Sequence, residues 1–151
     1  MKKYLAAAAL TAALAQPAAA VTFPSLTTIY VASGVYDSGD VDDVGTATTI
    51  SCSNVSGLTT TVRLLILSPT GSVVGSISTP LIHGATILAS THGTFLEEVD
   101  LGLPAIFGGV LNIESTQSGV FCSAAVVGAN GEDGATSLHL VRINGHPGAE
   151  E

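Results

Sequence analysis

From Leu26 onward the chain repeats one pattern. Runs of five to nine residues rich in Thr, Val, Ile, Ser and Gly are cut at short intervals by turn residues. Branched side chains suit a pleated, half-buried surface and lose rotamer freedom on a helix. The candidate strands are Leu26–Tyr36, Thr46–Asn54, Thr59–Ser68, Ser72–Thr79, His83–Ser90, Gly109–Ser115, Gly119–Val127 and Thr136–Asn144. Between them stand turn signals such as Asp37-Ser38-Gly39-Asp40, Ser68-Pro69-Thr70-Gly71 and Asn130-Gly131-Glu132-Asp133-Gly134. Gly supplies positive φ in such turns, and Asp, Asn and Ser bond to the nearby backbone. Seven or eight short strands without intervening helices predict an all-β fold, an antiparallel β-sandwich. Thr91–Pro104 breaks the pattern and reads as a long connection with one helical turn.

Alternation places Thr48, Ile50 and Cys52 on one face of the second strand, and Val120, Cys122 and Ala124 on one face of the seventh. Val62-Arg63-Leu64-Leu65-Ile66-Leu67 is apolar on both faces apart from Arg63, which predicts a central strand covered on both sides. The two cysteines fall in mid-strand at inward positions, 70 residues apart. In an exported chain they form one disulfide. A bridge there is expected to pin one sheet of the sandwich to the other. Closing so long a loop stabilises by about 4 kcal/mol through chain entropy.

The spacing and context of Cys52 and Cys122 resemble the immunoglobulin-like sandwich. The likeness is one of architecture. No tryptophan packs on the bridge, and Gly119-Val120-Phe121 precedes Cys122 where antibody-type domains place Tyr-x-Cys. The stretch from Cys52-Ser53-Asn54-Val55-Ser56 through Asn112-Ile113-Glu114-Ser115 to Leu138–Asn144 is also similar to uncharacterised secreted bacterial domains. That resemblance implies no activity.

Residues 1–20 read as a secretory signal. Met1-Lys2-Lys3 is basic, Leu5–Ala15 is apolar, and Ala18-Ala19-Ala20 offers the small side chains a signal peptidase reads. The apolar run is about half the ~20 residues needed to span a bilayer. No later run is long and apolar enough, so membrane insertion is not expected. The remaining residues 21–144 predict one domain, followed by a polar tail, 145–151. Losing Lys2 and Lys3 takes the formal net charge from −8 to −10, with Arg63 and Arg142 against twelve carboxylates. Such a surface repels nucleic-acid backbones and anionic lipid headgroups.

The sharpest candidate site is Asp37-Ser38-Gly39-Asp40-Val41-Asp42-Asp43. Asp37, Asp40, Asp42 and Asp43 are hard oxygen donors around a Gly-containing turn and suit calcium. The spacing is not that of an EF-hand, and the alternative is a solvated hairpin loop that guards a sheet edge. His83, His92, His139 and His146 form no close ligand pair. They are expected at the surface or in turns, although His83 and His92 meet if their segments pair. No G-x-S-x-G elbow is present. Glu97, Glu98, Asp100 and Glu114 contain acids enough for glycoside chemistry, but the mature chain has only Tyr30 and Tyr36, and no tryptophan, to stack a sugar. Arg63 is expected to snorkel or to pair with Glu114 or Asp100. Asn54-Val55-Ser56 matches a glycosylation sequon and also an ordinary turn.

Together these features predict a secreted, extracellular or periplasmic module without catalytic residues or a required cofactor. It binds an unknown protein or surface partner, or forms part of a surface layer. Two alternatives stay open. One is a homo-oligomeric fibre or pilus-like subunit joined by strand addition, with Leu26–Tyr36 as donor if it lies unpaired. The other is a sandwich that binds calcium or another metal, or acts as an enzyme.

Overall fold

The computed structural model describes residues 22–39, 44–96, 98–131 and 134–143. The signal 1–20, the acidic residues Asp40, Asp42 and Asp43, and the tail 145–151 lie outside the described residues. Ten strands and no helix are present among the described residues. They are β1 (Thr22–Asp37), β2 (Thr46–Asn54), β3 (Thr60–Leu67), β4 (Val73–Leu81), β5 (Thr86–Ser90), β6 (Val99–Asp100), β7 (Ile106–Gln117), β8 (Val120–Gly128), β9 (Ala135–Leu138) and β10 (Val141–Arg142). No helical turn forms in the described part of the Thr91–Pro104 connection. It contributes the two-residue β6, which pairs in parallel with β5.

The strands form two five-stranded sheets, β10-β1-β7-β3-β4 (front) and β6-β5-β2-β8-β9 (back). All pairs except β5–β6 are antiparallel. Burial on β3 alternates strictly. Val62, Leu64 and Ile66 face inward and meet Leu111 and Ile113 of β7 in one cluster with Ile50, Cys52, Ile87 and Val120 of the back sheet. Apolar residues spaced by two thus place one side of each sheet against the other, the burial that drives folding.

The outer side of β3 corrects the expectation of a strand covered on both faces. Arg63, Leu65 and Leu67 are only half-buried there. Register aligns Leu65 with Asn112 of β7, which faces Val31 of β1, and Leu67 with Val110. No second layer of the described chain covers this face.

The disulfide forms, but not as a tie between sheets. Cys52 and Cys122 are directly opposite on neighbouring strands β2 and β8 of the back sheet. Their Cα atoms are 4.2 Å apart, the close spacing of a non-hydrogen-bonded antiparallel pair. Both side chains point at the core, as alternation requires. Alternation reports which face a cysteine occupies and not which strand lies beside it.

The sheets are joined along one side by the C-terminal segment. It pairs with β8 as β9, crosses at His139-Leu140 and pairs with β1 as β10. Arg142 of β10 reaches back to the other sheet. Its Nη1 donates to the Val120 carbonyl at 3.3 Å, and its guanidinium lies 5.0 Å from the Tyr30 ring and 5.5 Å from the Phe121 ring. Stacking and hydrogen bonding together suit a guanidinium. β1 pairs with β7 from Thr22 to Asp37, so the condition for Leu26–Tyr36 to act as a free donor strand is not met.

Candidate functional site

The connections β1–β2, β3–β4, β5–β7 and β8–β9 emerge at the same end of the sandwich. At this end the two sheets are fastened by polar side chains. Thr48 points inward from β2, where its hydroxyl donates to the Tyr36 carbonyl of β1 at 2.8 Å and accepts the Tyr36 N–H at 2.9 Å. The backbone N–H of Thr48 donates to the Thr91 hydroxyl at 3.0 Å, just beyond β5. Thr is suited to this place because its methyl packs in the core while its hydroxyl serves an adjacent strand. Ser90 is buried as well, and its hydroxyl donates to the His92 carbonyl.

The centre of the cluster is Asp37 with His92. Asp37 closes β1 with no exposed surface, and His92 is 4% exposed. Asp37 Oδ1 lies 2.9 Å from His92 Nδ1 and accepts the Gly39 N–H at 2.7 Å. His92 Nε2 donates to the Val44 carbonyl at 3.0 Å. One imidazole therefore spans the end of β1, the turn before β2 and the segment after β5. Asp37 Oδ2 is buried and has no hydrogen-bond partner. Buried polar atoms are nearly always paired, which sets this oxygen apart from the rest of the cluster.

Asp37 corrects the picture of a solvated acidic loop, because its carboxyl turns inward. His92, expected at the surface or in a turn, lies in the connection after β5 but is buried. No local signal marked it: the alternating pattern ends at Ser90, yet Thr91, His92, Gly93 and Thr94 are all buried. The acid that holds the ring lies 55 residues away, and only the fold joins them. His83 is exposed at the opposite end, where its Nδ1 accepts the Gly57 N–H at 3.1 Å. His83 and His92 thus do not meet. His139 is exposed in the β9–β10 crossover, and His146 lies outside the described residues. Among the described residues, no three His, Cys, Asp or Glu side chains gather as a metal-binding group.

Three connections are knitted around this node. The Phe95 N–H donates to the Ala129 carbonyl at 3.2 Å, and the Ala129 N–H to the Gly45 carbonyl at 2.9 Å. The Phe95 ring rests on Gly131, where a Cβ would lie 2.9 Å from it. Val44, Phe95 and Leu96 nevertheless remain 49%, 57% and 41% exposed. Tyr36 and Phe107 pack edge to face nearby, with centroids 5.2 Å apart. The result is a set of exposed apolar side chains on loops held by a buried frame, a common form of binding surface. The apolar pair Phe95-Leu96 beside the acids of 97, 98 and 100 was the signal available in the sequence.

The remaining candidates are structural. Arg63 pairs with Glu114, its register partner on β7. Asp100 accepts the Gly102 N–H at 2.7 Å. Asn54 is fully buried; its amide donates to the carbonyls of Leu58 and Leu81, and its Oδ1 accepts from Ser56. The sequon is therefore a turn built around an inaccessible side chain.

No protein-family model matches the chain, and no curated protein matches it. Among solved structures it is similar to FlgD from Xanthomonas campestris, whose title concerns hook capping in flagellar assembly. The identity is 13%, over 76% of this chain and 70% of that one, with a TM-score of 0.28. A likeness that slight bears on neither fold nor role.

Proposed function

We propose that the chain is an exported, non-enzymatic β-sandwich module of immunoglobulin-like, two-layer architecture that holds a protein or surface partner outside the cytoplasm. The observation that carries the reading is the loop end. Val44, Phe95 and Leu96 stay exposed although the backbone beneath them is fixed by Asp37, His92 and the two backbone hydrogen bonds that join Phe95 to Ala129 and Ala129 to Gly45. Rigid loops carrying apolar anchors bind with little loss of conformational entropy. The Cys52–Cys122 bridge supports export, because such bridges persist in oxidising compartments. The geometry of His92 supports a non-catalytic role: its nitrogens face a carboxyl and a carbonyl, and neither addresses a nucleophile.

Cell fractionation with intact-mass and thiol measurement tests the compartment. The expected product starts at Val21, lies in the exported fraction and has no titratable thiol. A full-length cytoplasmic product with two free thiols contradicts the reading. A photo-crosslinker at Phe95 tests the binding surface against one at Ser123 on the back sheet. Specific crosslinks from Phe95 alone are expected, and crosslinks from Ser123 alone contradict it.

One observation favours a second reading, calcium binding, and that is the unpartnered Oδ2 of Asp37. The chain that follows it carries Asp40, Asp42 and Asp43, and a carboxyl oxygen is a fitting ligand for a hard cation. Thermal melting with millimolar calcium tests this. A rise in melting temperature that Asp37→Ala abolishes is expected, and the absence of a calcium shift removes the reading.

A further inference from the structure

β4 is the long open edge of the sandwich. Among the described residues the other edge strands are short: β10 and β6 have two residues each and β9 has four, against nine for β4. Register shows which of its backbone groups are free. Pro80 has no N–H and stands opposite Thr61, and the Thr61 N–H turns the other way, to the Thr116 hydroxyl of β7 at 3.0 Å. Thr61–Pro80 is therefore a non-hydrogen-bonded pair. So, by alternation along the ladder, are Arg63–Ser78 and Leu65–Ser76. The N–H groups of Ser76 and Ser78 and the carbonyls of Ser76, Ser78 and Pro80 thus point away from β3. No strand among the described residues meets them. Edges are commonly blunted by charge, proline or bulges. β4 carries no charged residue. Pro80 at one end and the register shift between Ile66 and Leu67 at the other confine the open stretch to 74–79.

An apolar seam accompanies this edge. β9 and β10 close one side of the sandwich, so β4 and β6 stand at the other. Val74 and Ile77 of β4, Ala85 before β5, and Val99 and Leu101 at β6 are only partly buried against the core. Leu103 fills the seam beside Gly75, where a Cβ has no room. The closed side shows what such a seam takes. There the C-terminal segment runs extended, pairs with β8 and then with β1, and lays Leu138 and Leu140 on the core, two residues apart.

We propose that β4 accepts an extended segment of a partner protein, which adds antiparallel as a further strand of the front sheet and sets apolar side chains at alternate positions into the seam. The free groups select the occupant, because a row of alternating donors and acceptors is matched by extended backbone. Partner residues opposite Ser76 and Ser78 exchange two bonds with each, and the Pro80 carbonyl accepts one more. The partner residues opposite Ile77 and Thr79 face inward, and those are the positions that call for apolar side chains. A second copy is a poorer occupant. Its β4 matches the hydrogen bonds, but the inward side chains of that strand are already packed on its own core. The chain is thus the acceptor in strand addition. This edge is separate from the loop end and goes beyond the reading given to that surface.

NMR of the purified exported chain tests it. The probe is the peptide Lys-Thr-Val-Thr-Val-Thr-Val-Thr-Lys, and a peptide of the same composition with its valines contiguous is the control. In the free chain the Ser76 and Ser78 amides should exchange at least about tenfold faster than those of Ile77 and Thr79, which are bonded to β3. The alternating peptide should slow that exchange and shift both signals, while Ser51 and Ser123 on the back sheet stay unmoved. Ser78→Pro deletes one donor on an edge that tolerates proline, and should weaken binding at least about tenfold with circular dichroism unchanged. No change at Ser76 and Ser78 with the peptide at about 1 mM overturns the proposal, as does equal binding of the control, and both readings need only the wild-type chain. A dimer of the chain alone, seen by sedimentation velocity and dissociated by Ser78→Pro, gives the edge to a second copy and overturns it as well. None of these results touches the crosslinking at Phe95 that tests the loop end.

Discussion

Removing either member of the Asp37–His92 pair unfastens the two sheets at the loop end. Asp37→Ala leaves His92 Nδ1 buried without a hydrogen-bond partner, whereas the Gly39 N–H, on an exposed residue, can turn to water. An unsatisfied buried polar group costs about 1–3 kcal/mol, and the deleted side chain adds a small cavity term. His92→Ala loses the same bond and the contact of Nε2 with the Val44 carbonyl. Each single variant should therefore lose about 2–4 kcal/mol, a large part of the roughly 5–15 kcal/mol available to such a domain. The double variant loses the shared bond once, so the coupling should be about 1.5–3 kcal/mol. Urea denaturation of the four proteins at fixed pH measures the cycle, with unchanged m-values as the check that the unfolded states match. Single costs below about 1 kcal/mol, or a coupling within about 0.5 kcal/mol of zero, refute the argument that this pair is the clamp.

Other expectations follow from the same packing. Cys52→Ala with Cys122→Ala should reduce stability by about 4 kcal/mol while the β2–β8 register persists, read by urea midpoint and amide exchange. Asn54→Ala should cost about 2–3 kcal/mol because it strips the 55–58 turn and two carbonyls of partners, and wild-type Asn54 should stay unmodified in a glycosylating host, read by intact mass. Gly119→Ala should cost about 1–3 kcal/mol, since the new Cβ would lie 2.6 Å from Ser56 Cα, a backbone atom that cannot move aside cheaply; thermal melting reads the loss.

Much of the frame was legible because a strand buried on one face writes its period into the chain. Thr46–Asn54 has the limits expected of it, and the strict alternation of β3 follows from Val62, Leu64 and Ile66. What local pattern does not carry is adjacency. The cysteines were placed on inward faces, but β2 and β8 are neighbours in one sheet, so the bridge lies within it. β3 was expected to be covered twice because Leu65 and Leu67 are apolar, and apolarity alone does not distinguish a covering layer from half-buried neighbours on the same face. The site was less legible. His92 and Asp37 are brought together by the way β1 and β5 end at a common edge, and nothing at either position announces the other. Arg63 with Glu114 was foreseeable as a pairing of opposite charges on strands, and its register is a property of the fold.

The pairing of β2 with β8 places the bridge in the back sheet and leaves the polar clamp to join the layers. Cross-strand Hα–Hα contacts measured by NMR on the oxidised chain read this directly. They should connect Cys52 with Cys122, Ile50 with Ala124 and Asn54 with Val120, the alternate non-hydrogen-bonded pairs of one ladder. A bridge whose two cysteines show no such contact, with each Hα instead close to a different strand, contradicts the arrangement.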